Sequence, residues 1–295
     1  MWFEYRPMRS KLFVPASRTE LFGKALSSAA DALSFDLEDA VEEGQKPRAR
    51  KALQEFLQSE ACVKADKTII VRVNAWSTHH VRDDVMAILG PGLDTINLPM
   101  VEDPQTVIEL CEWLQVLEAE RGLQRPVGVL VNIESPRGLR LAASIACAHQ
   151  RVTGLQIGYG DLFGPMGADP TDHEFSQWVR MQVRVAAAEA GVAAYDGAFT
   201  NVRDLEGFER SALAAARLGF TGKSCIHPTQ IEPANRCFLP SAQAVAHARR
   251  VVEAAHRQLE AGVGAFTVDG QLIDGPLIDR ARELVARADR YSRKG

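Results

Sequence analysis

The chain has 295 residues, of which 46% are hydrophobic and 24% charged, so it is long enough to bury a full core. Its formal net charge of -4 and the absence of a strongly basic stretch argue against a nucleic-acid-binding protein. No apolar run approaches the roughly 18 residues of a membrane-spanning helix, which argues against a membrane protein.

The cysteines and the N-terminal segment bear on the cellular compartment. The five cysteines are widely spaced and form no C-x-x-C pair, which favours reduced thiols over a disulfide framework or a zinc site. The segment MWFEYRPMRS lacks the apolar stretch of a signal peptide. Together these features predict a cytoplasmic protein.

Short apolar runs alternate with helical patterns along most of the chain. Eight of them are predicted as strands: Lys11–Ala16, Ala32–Glu38, Thr68–Asn74, Thr95–Met100, Val127–Glu134, Gly154–Asp161, Ala193–Phe199 and Lys223–Pro228. The stretches between them include amphipathic helices at Asp103–Arg121 and Glu174–Ala190. Near-continuous hydrophobic strands that alternate with helices are typical of a parallel sheet covered by helices.

Eight such units favour an α/β fold of the (β/α)8 TIM-barrel type over an open, Rossmann-like sheet. The open sheet is the alternative, but its phosphate-binding fingerprint is missing. Gly158 and Gly160 are followed by a glycine only at Gly164, one place too late for G-x-G-x-x-G.

The pattern changes after Pro240. Ser241–Ala261 predicts a long amphipathic helix, and the Gly-rich segment GVGAFTVDGQLIDG predicts a hairpin. A final helix is predicted at Pro276–Tyr291, because proline suits the first helical turn. We therefore predict two domains, a barrel at 1–239 and a C-terminal helical lid at 240–295.

Two carboxylates mark the candidate metal site. In a TIM barrel the chemistry gathers at the C-terminal ends of the strands, and Glu134 and Asp161 end the fifth and sixth predicted strands. Two carboxylates about 4 Å apart repel by about 4 kcal/mol at an effective dielectric of 20, and a divalent cation reverses that sign. Oxygen ligands without His or Cys favour Mg²⁺. The open alternative is that Glu134 pairs with Arg137 or Arg140 while Asp161 caps the next helix.

Arg72 lies within TIIVRVN, the most apolar predicted strand. A buried guanidinium needs an anionic partner. That partner is Glu38 or Asp36 on the neighbouring strand, or a substrate carboxylate that the planar group grips with two bonds. Both arrangements can hold at once.

Other polar residues carry weaker signals. Lys223 opens its predicted strand, at the rim opposite to the one expected for catalysis, which disfavours a Schiff-base lysine. Asp269 and Asp274 fit turns, where aspartate is common. Only a lid that closes over a barrel mouth gives either of them a chemical role.

Several segments converge on one family: RSKLFVPASRTELFGKAL, ADALSFDLEDAVEEGQKPRAR, VRVNAW, LPMVEDP, NIESPRGL, GYGDL and DLEGFERSALAAARLGFTGKSCIHPTQI. In this order they resemble the citrate lyase β-subunit-like proteins of the HpcH/HpaI aldolase family, which includes malyl-CoA and citramalyl-CoA lyases. The resemblance runs from about Arg9 to Ala288. DLEDAV followed by the GKxxIHPxQI pattern is its most specific part.

The resemblance implies a (β/α)8 barrel with a C-terminal lid, usually assembled as a homotrimer or homohexamer. It implies Mg²⁺-dependent cleavage or formation of a carbon–carbon bond beside a thioester. By position, Glu134 and Asp161 match the metal carboxylates of the family, and Arg72 matches the arginine that binds the keto-acid carboxylate.

The remaining matched positions concern the acid/base and the thioester. Asp274 matches the lid aspartate that family enzymes bring in from a neighbouring subunit as acid/base. Phe13 and Lys24 match the region that contacts CoA. Two positions depart from the family: Met100 stands where a lysine is common, and Ala16 where a glycine is common. Both lie near the predicted mouth, and neither is a metal ligand.

The expected activity is therefore that of a Mg-dependent lyase. It cleaves or forms a 3-hydroxyacyl-CoA such as malyl-CoA or citramalyl-CoA, with a 2-keto acid and an acyl-CoA as the other side of the reaction. The alternatives are a thioester hydrolase on the same scaffold and a citrate lyase β subunit acting on an acyl carrier protein thioester. The tail that contains Asp274 argues against the carrier-dependent subunit.

Overall fold

The computed structural model describes residues 7–169, 172–260 and 264–292. Residues 1–6 of the N-terminal segment, the last residue of the predicted helix at Ser241–Ala261, and the first two residues of the predicted hairpin segment lie outside the described residues.

Eight parallel strands close into a barrel in chain order, and β1 pairs with both β2 and β8. They are β1 Ser10–Pro15, β2 Ala32–Asp36, β3 Thr68–Arg72, β4 Thr95–Leu98, β5 Gly128–Ile133, β6 Val152–Ile157, β7 Ala193–Asp196 and β8 Gly222–Cys225. The predicted TIM-barrel fold is confirmed, because each predicted run contains most of one strand of this barrel.

Helices follow the strands along the chain. In the barrel they are α1 Phe22–Leu26, α2 Lys46–Leu57, α3 Glu60–Val63, α4 His80–Ile88, α5 Pro104–Glu120, α6 Pro136–Arg140, α7 Ala142–Ala146, α8 Tyr159–Phe163, α9 His173–Glu189, α10 Leu205–Arg217 and α11 Ile231–Cys237. Several begin with a side-chain cap, as where Asp103 accepts a hydrogen bond from the backbone of Gln105 before α5.

Alternation along each strand separates two environments. In β2, Leu33 and Phe35 belong to the main apolar core, while Ser34 and Asp36, which alternate with them, are buried polar residues. A smaller apolar cluster lies nearer the N-terminal ends of the strands and comprises Met8, Ala32, Ile70, Leu130 and Tyr195. Polar side chains follow these residues along the strands, so the barrel interior is apolar at the N-terminal end and polar at the C-terminal end.

The chain divides into two compact units between Phe238 and Leu239. The second unit contains helices α12 Ala242–Glu260 and α13 Gly275–Ser292 with strands β9 Phe266–Val268 and β10 Gln271–Ile273. The strands pair antiparallel across Asp269 and Gly270, whose φ values are 51° and 80°. Both turn residues with positive φ fit a tight two-residue hairpin.

The second unit has its own apolar core, which includes Val251, Ala255, Phe266, Ile273 and Ile278. That the second unit acts as a lid remains a prediction. Among the described residues, no helix is both long enough and apolar enough to cross a bilayer.

Candidate active site

Glu134 directly follows β5 and is only 3% exposed. Its Oε1 accepts a hydrogen bond from the backbone N–H of Met100 at 2.7 Å, and Oε2 accepts one from Asn132 Nδ2 at 3.1 Å. Burial raises the pKa of Glu134 to about 7, although the Met100 bond and the Arg72 charge oppose the rise. The charge of Asp161 adds to the rise.

Asp161 lies in the first turn of α8, not at the end of a strand. The predicted sixth strand is too long, because β6 ends at Ile157, where its pairing with Ile133 of β5 ends. Asp161 is exposed. The alternative that it caps the helix is wrong, since Gly158 occupies the N-cap position of α8.

Gly158 brings α8 against Glu134. A Cβ atom at Gly158 would lie 2.2 Å from Glu134 Oε2 and 2.5 Å from Glu134 Cβ. Any larger residue would therefore displace the carboxylate or the backbone. This close approach explains how a residue of α8 comes near a residue that follows β5.

The alternative ion pairs of Glu134 are not found. Within the described parts of the chain, no Lys, Arg or His nitrogen lies within 4.0 Å of a carboxylate oxygen of Glu134 or Asp161. Arg137 instead lies 3.9 Å from Asp103. The two neighbouring carboxylates thus lack a cationic side chain in direct contact, an arrangement that a divalent cation stabilises.

Arg72 ends β3 and is held by carboxylates at and just after the end of β2. Its Nε and Nη2 donate to the two oxygens of Asp36 at 2.8 and 2.6 Å. Its Nη1 lies 2.9 Å from Glu38 Oε2 and 3.1 Å from Asp39 Oδ2. The predicted structural partners Asp36 and Glu38 are therefore both found, and Asp39 is a third that the sequence interpretation missed.

These contacts affect the pKa values of Arg72 and Glu38. The bond and charge of Asp36, with the charges of Glu38 and Asp39, outweigh burial and raise the pKa of Arg72 further above its ordinary value. Burial raises the pKa of Glu38 to about 8; Arg72 opposes this rise and the charge of Asp39 adds to it. Glu38 therefore titrates close to neutral pH.

Phe13 faces the barrel interior beside Arg72. Its ring centroid lies 5.4 Å from the guanidinium carbon of Arg72 and 4.5 Å from Lys11 Nζ. Lys11 is fully buried and donates to Gln156 Oε1, and burial lowers its pKa well below the usual value. The sequence interpretation missed Lys11, although a lysine at the start of the apolar run KLFVPA was a signal. Lys24 lies on the exposed side of α1.

Lys223 is buried in the wall of the barrel. It donates to Asp196 Oδ2 at 2.5 Å and to the carbonyl of Gly197 at 2.7 Å. Its ammonium group is thus engaged by a structural ion pair.

Asp274 belongs to the second unit and precedes α13. Its Oδ1 accepts a long hydrogen bond of 3.4 Å from the backbone of Leu277, and its carbonyl accepts one from Ile278 at 3.0 Å. The carboxylate is exposed. Asp274 therefore has a helix-capping contact that exists independently of any chemical role.

Glu43, His79 and His80 form a further group with metal-ligating atoms within 4.8 Å of one another. Arg50 Nη2 donates to His80 Nδ1 at 2.8 Å, so Nε2 carries the ring proton of neutral His80 and faces Glu43 Oε1 at 2.7 Å. A metal ion would need the Nε2 lone pair that this proton occupies. The group is therefore a hydrogen-bonded network and a poor ligand set.

Comparison with known proteins adds three findings. The family model described as HpcH/HpaI aldolase/citrate lyase matches residues 9–228. The chain is 35% identical over 289 residues to citrate lyase subunit beta of Escherichia coli K12, covering 96% of this chain and 94% of that protein. It is 33% identical over 308 residues to the L-malyl-CoA/beta-methylmalyl-CoA lyase of Cereibacter sphaeroides, covering 97% and 96% of the two chains.

A solved structure also resembles the fold over most of its length. It is the protein CitE from Mycobacterium tuberculosis in complex with magnesium, acetoacetate and coenzyme A. The TM-score is 0.74 at 34% identity, and the match covers 95% of this chain and 97% of that chain.

Proposed function

The chain belongs to the HpcH/HpaI aldolase/citrate lyase family, and on that basis we propose that it is a magnesium-dependent carbon–carbon lyase. Its substrate is a 3-hydroxyacyl-CoA such as malyl-CoA or citramalyl-CoA, which it cleaves to, or forms from, a 2-keto acid and an acyl-CoA. The similarity to a malyl-CoA lyase and to a structure that contains magnesium and coenzyme A supports this reading.

The observation that carries the proposal is the pair of carboxylates, Glu134 and Asp161. Glu134 is buried against Gly158, the N-cap residue of the helix that contains Asp161, and among the described residues neither carboxylate has a cationic side chain within ion-pair distance. This donor set consists of oxygens alone and fits Mg²⁺ better than zinc. When bound, Mg²⁺ supplies Lewis-acid polarisation of the keto or alkoxide oxygen.

Arg72 is proposed to bind the carboxylate of the keto acid. Asp36 holds Nε and Nη2 in a two-bond contact, so the guanidinium plane is fixed before substrate arrives. The exposed carboxylate of Asp39 shares Nη1 with Glu38. A substrate carboxylate can replace Asp39 at Nη1, because the Asp39 side chain is 69% exposed and loses little when water takes the place of Arg72.

Asp274 is proposed as the acid/base. In cleavage, the carbon–carbon bond breaks and its electron pair remains on the carbon beside the thioester, which Asp274 then protonates. In the reverse direction Asp274 removes the same proton. Phe13 and Lys24 are proposed to contact CoA, with the exposed lysine positioned on α1 to meet phosphate groups.

We also propose a homotrimer or homohexamer in which the second unit of one subunit brings Asp274 to the site of another. Light scattering during size-exclusion chromatography measures the number of subunits. Mixed assemblies of Asp274→Asn and Arg72→Lys subunits test the sharing of sites, because they recover activity only if one site takes residues from two subunits.

The decisive experiment measures Mg²⁺ binding and turnover together. Glu134→Gln and Asp161→Asn should each raise the Kd for Mg²⁺ by at least about tenfold in calorimetry, since each removes a charged ligand. Asp103→Asn is the matched control, because asparagine keeps the cap of α5 while removing another carboxylate. Full turnover of malyl-CoA after thorough chelation would overturn the proposal.

A second candidate is a citrate lyase β subunit acting on a carrier-protein thioester, favoured by the similarity to the Escherichia coli subunit. The purified chain with Mg²⁺ and a panel of 3-hydroxyacyl-CoAs distinguishes the two. Release of a keto acid and an acyl-CoA supports the lyase, and activity with a loaded carrier protein alone supports the subunit. Release of free CoA without a keto acid would instead indicate thioester hydrolysis.

A further inference from the structure

The carboxylate of Asp161 is placed by its backbone alone. The residue is exposed, and within the described residues no hydrogen bond or ion pair to another side chain holds its oxygens. Its position therefore depends on α8, a helix of five residues, Tyr159–Phe163, that starts at Gly158. So short a helix has little stability of its own and must be held by its neighbours.

Tyr159 connects the first turn of α8 to β7 through a side-chain hydrogen bond. Its hydroxyl donates to Asp196 Oδ1 at 2.6 Å, across a separation of 37 residues. Its ring packs on Gly197, where an added Cβ would lie 2.6 Å from Tyr159 Cδ2 and 2.9 Å from Cε2. The ring of Tyr159 can therefore occupy this position only because Gly197 has no side chain.

The acceptor of this hydrogen bond is itself rigidly held. Asp196 is completely buried at the end of β7. Lys223 Nζ donates to Oδ2 at 2.5 Å, and Arg180 donates to Oδ1 and Oδ2 at 3.1 and 3.2 Å. The charges of Lys223 and Arg180 outweigh burial and lower the pKa of Asp196 to about 2, so it is an ionised acceptor at neutral pH.

We propose that Tyr159 is a positioning residue for the metal site, and that its contacts with Asp196 and Gly197 hold Asp161 beside Glu134 at the spacing that Mg²⁺ requires. The proposal rests on the proposed function, in which Asp161 is a metal ligand. It assigns a role to the Tyr159–Asp196 bond beyond the packing of the barrel wall.

Gly160 offers an independent way to test this role. It separates Tyr159 from Asp161, and an added Cβ at Gly160 would meet no atom within 4 Å. Alanine at this position restricts the backbone without steric cost and favours the helical conformation. If Tyr159 acts by ordering α8, Gly160→Ala should partly replace its effect.

The experiment measures the Kd for Mg²⁺ by calorimetry in the full chain without substrate. Tyr159→Phe keeps the ring and removes the hydroxyl, and it should raise the Kd about tenfold, as outer partners of metal sites do. At saturating Mg²⁺ its kcat and its KM for the keto acid should match those of the wild type. The double variant Tyr159→Phe/Gly160→Ala should recover part of the lost affinity.

Tyr195→Phe is the matched control, because it removes another buried tyrosine hydroxyl, on β7, from a residue of the apolar cluster at the N-terminal end of the barrel. Its Kd for Mg²⁺ should equal that of the wild type. If Tyr159→Phe also equals the wild type while Asp161→Asn weakens binding, the positioning role is wrong and the metal site stands. If Glu134→Gln and Asp161→Asn leave the Kd unchanged, the metal site and the positioning role both fail.

A loss of activity in Tyr159→Phe that saturating Mg²⁺ does not restore would also contradict the proposal, since it would indicate general damage to the barrel. Thermal unfolding checks that each variant is fully folded at the temperature of the calorimetry, because removing a donor to the buried Asp196 lowers the Tm by itself.

Discussion

The backbone N–H of Met100 donates to Glu134 Oε1 at 2.7 Å, and Met100 adopts a left-handed backbone with a φ of 51°. Most residues other than glycine avoid this conformation, which costs roughly 1–2 kcal/mol. The strained residue lies just beyond β4 and fixes one oxygen of the carboxylate assigned to the metal. Backbone strain at such a position is typical of sites where geometry serves function.

The first prediction concerns this strain. Met100→Gly should be more stable than Met100→Ala by about 1 kcal/mol, because glycine adopts positive φ without the Cβ clash. Both variants should keep the wild-type Mg²⁺ affinity, since the backbone amide is the donor. Urea unfolding and calorimetry check the two statements. Equal stability of the two variants would show that the left-handed backbone is not maintained.

The second prediction concerns pH and substrate binding. Glu38 has a pKa raised to about 8, so it is largely protonated below this pH and ionised above it. The ionised form holds Arg72 Nη1 more tightly, so it should compete with the keto-acid carboxylate that is proposed to bind Arg72. The KM for the keto acid in the condensation direction should therefore increase above about pH 8.

Glu38→Gln provides the comparison for this effect. Glutamine keeps an oxygen that faces Arg72 but carries no charge at any pH. Its KM should stay flat through the pH range in which the wild-type KM increases. The same rise in both proteins would assign the titration to a different group.

The third prediction separates the two contacts of Asp274. Asp274→Asn keeps the side-chain oxygen that caps α13 but removes the proposed acid/base, so Tm and Mg²⁺ affinity should stay unchanged. Turnover should fall by about 10²–10⁴-fold. Asp274→Ala should lose the same activity and in addition about 1 kcal/mol of stability. Activity of the asparagine variant within about tenfold of wild type would contradict the assigned role.

The fourth prediction compares two Lys→Met changes. Lys223→Met should lower stability by about 3–5 kcal/mol, because it deprives the buried Asp196 of a charged partner. Lys64→Met breaks an exposed pair with Glu60 and should cost at most about 0.5 kcal/mol. Chemical unfolding measures both. Similar costs for the two would mean that Arg180 and Tyr159 compensate Asp196 without Lys223.

The same network predicts behaviour in acid. The pKa of Asp196 is lowered to about 2 from an ordinary 3.8, so its contribution to stability is complete above pH 3.8 and is lost as pH falls through 2. In Lys223→Met the pKa of Asp196 should lie closer to 3.8, so the stability lost between pH 3.8 and pH 2 should be smaller than in the wild type. The Tm measured between pH 5 and pH 2 tests this difference.

Most of the barrel could be predicted from the sequence, because strands buried on both faces consist of nearly continuous apolar runs. The residues at which the strands end could not be predicted in this way. Apolarity continues past Ile157, but the hydrogen-bonded ladder stops there, so Asp161 belongs to a helix and not to a strand. The length of a strand depends on its partner strand, which a local pattern does not contain.

Some charged residues of the barrel could likewise be identified from the sequence, and others could not. The sequence singles out Arg72 and Glu134 as candidates, because Arg72 lies within an apolar run and Glu134 ends one. Lys11 was missed because a lysine at the start of a run resembles an exposed flank, whereas its side chain is buried in the barrel. The bond from Tyr159 to Asp196 was also missed, since it joins residues that only the closed barrel brings together.

The apolar cluster of Met8, Ala32, Ile70, Leu130 and Tyr195 has a kinetic consequence. It fills the N-terminal end of the barrel, so small molecules reach Arg72 and Glu134 from the opposite end. In the proposed reaction, a keto acid that binds below the thioester enters first in the condensation direction and departs last in the cleavage direction. Product-inhibition patterns in the cleavage direction should accordingly show an ordered release, with the acyl-CoA leaving before the acid.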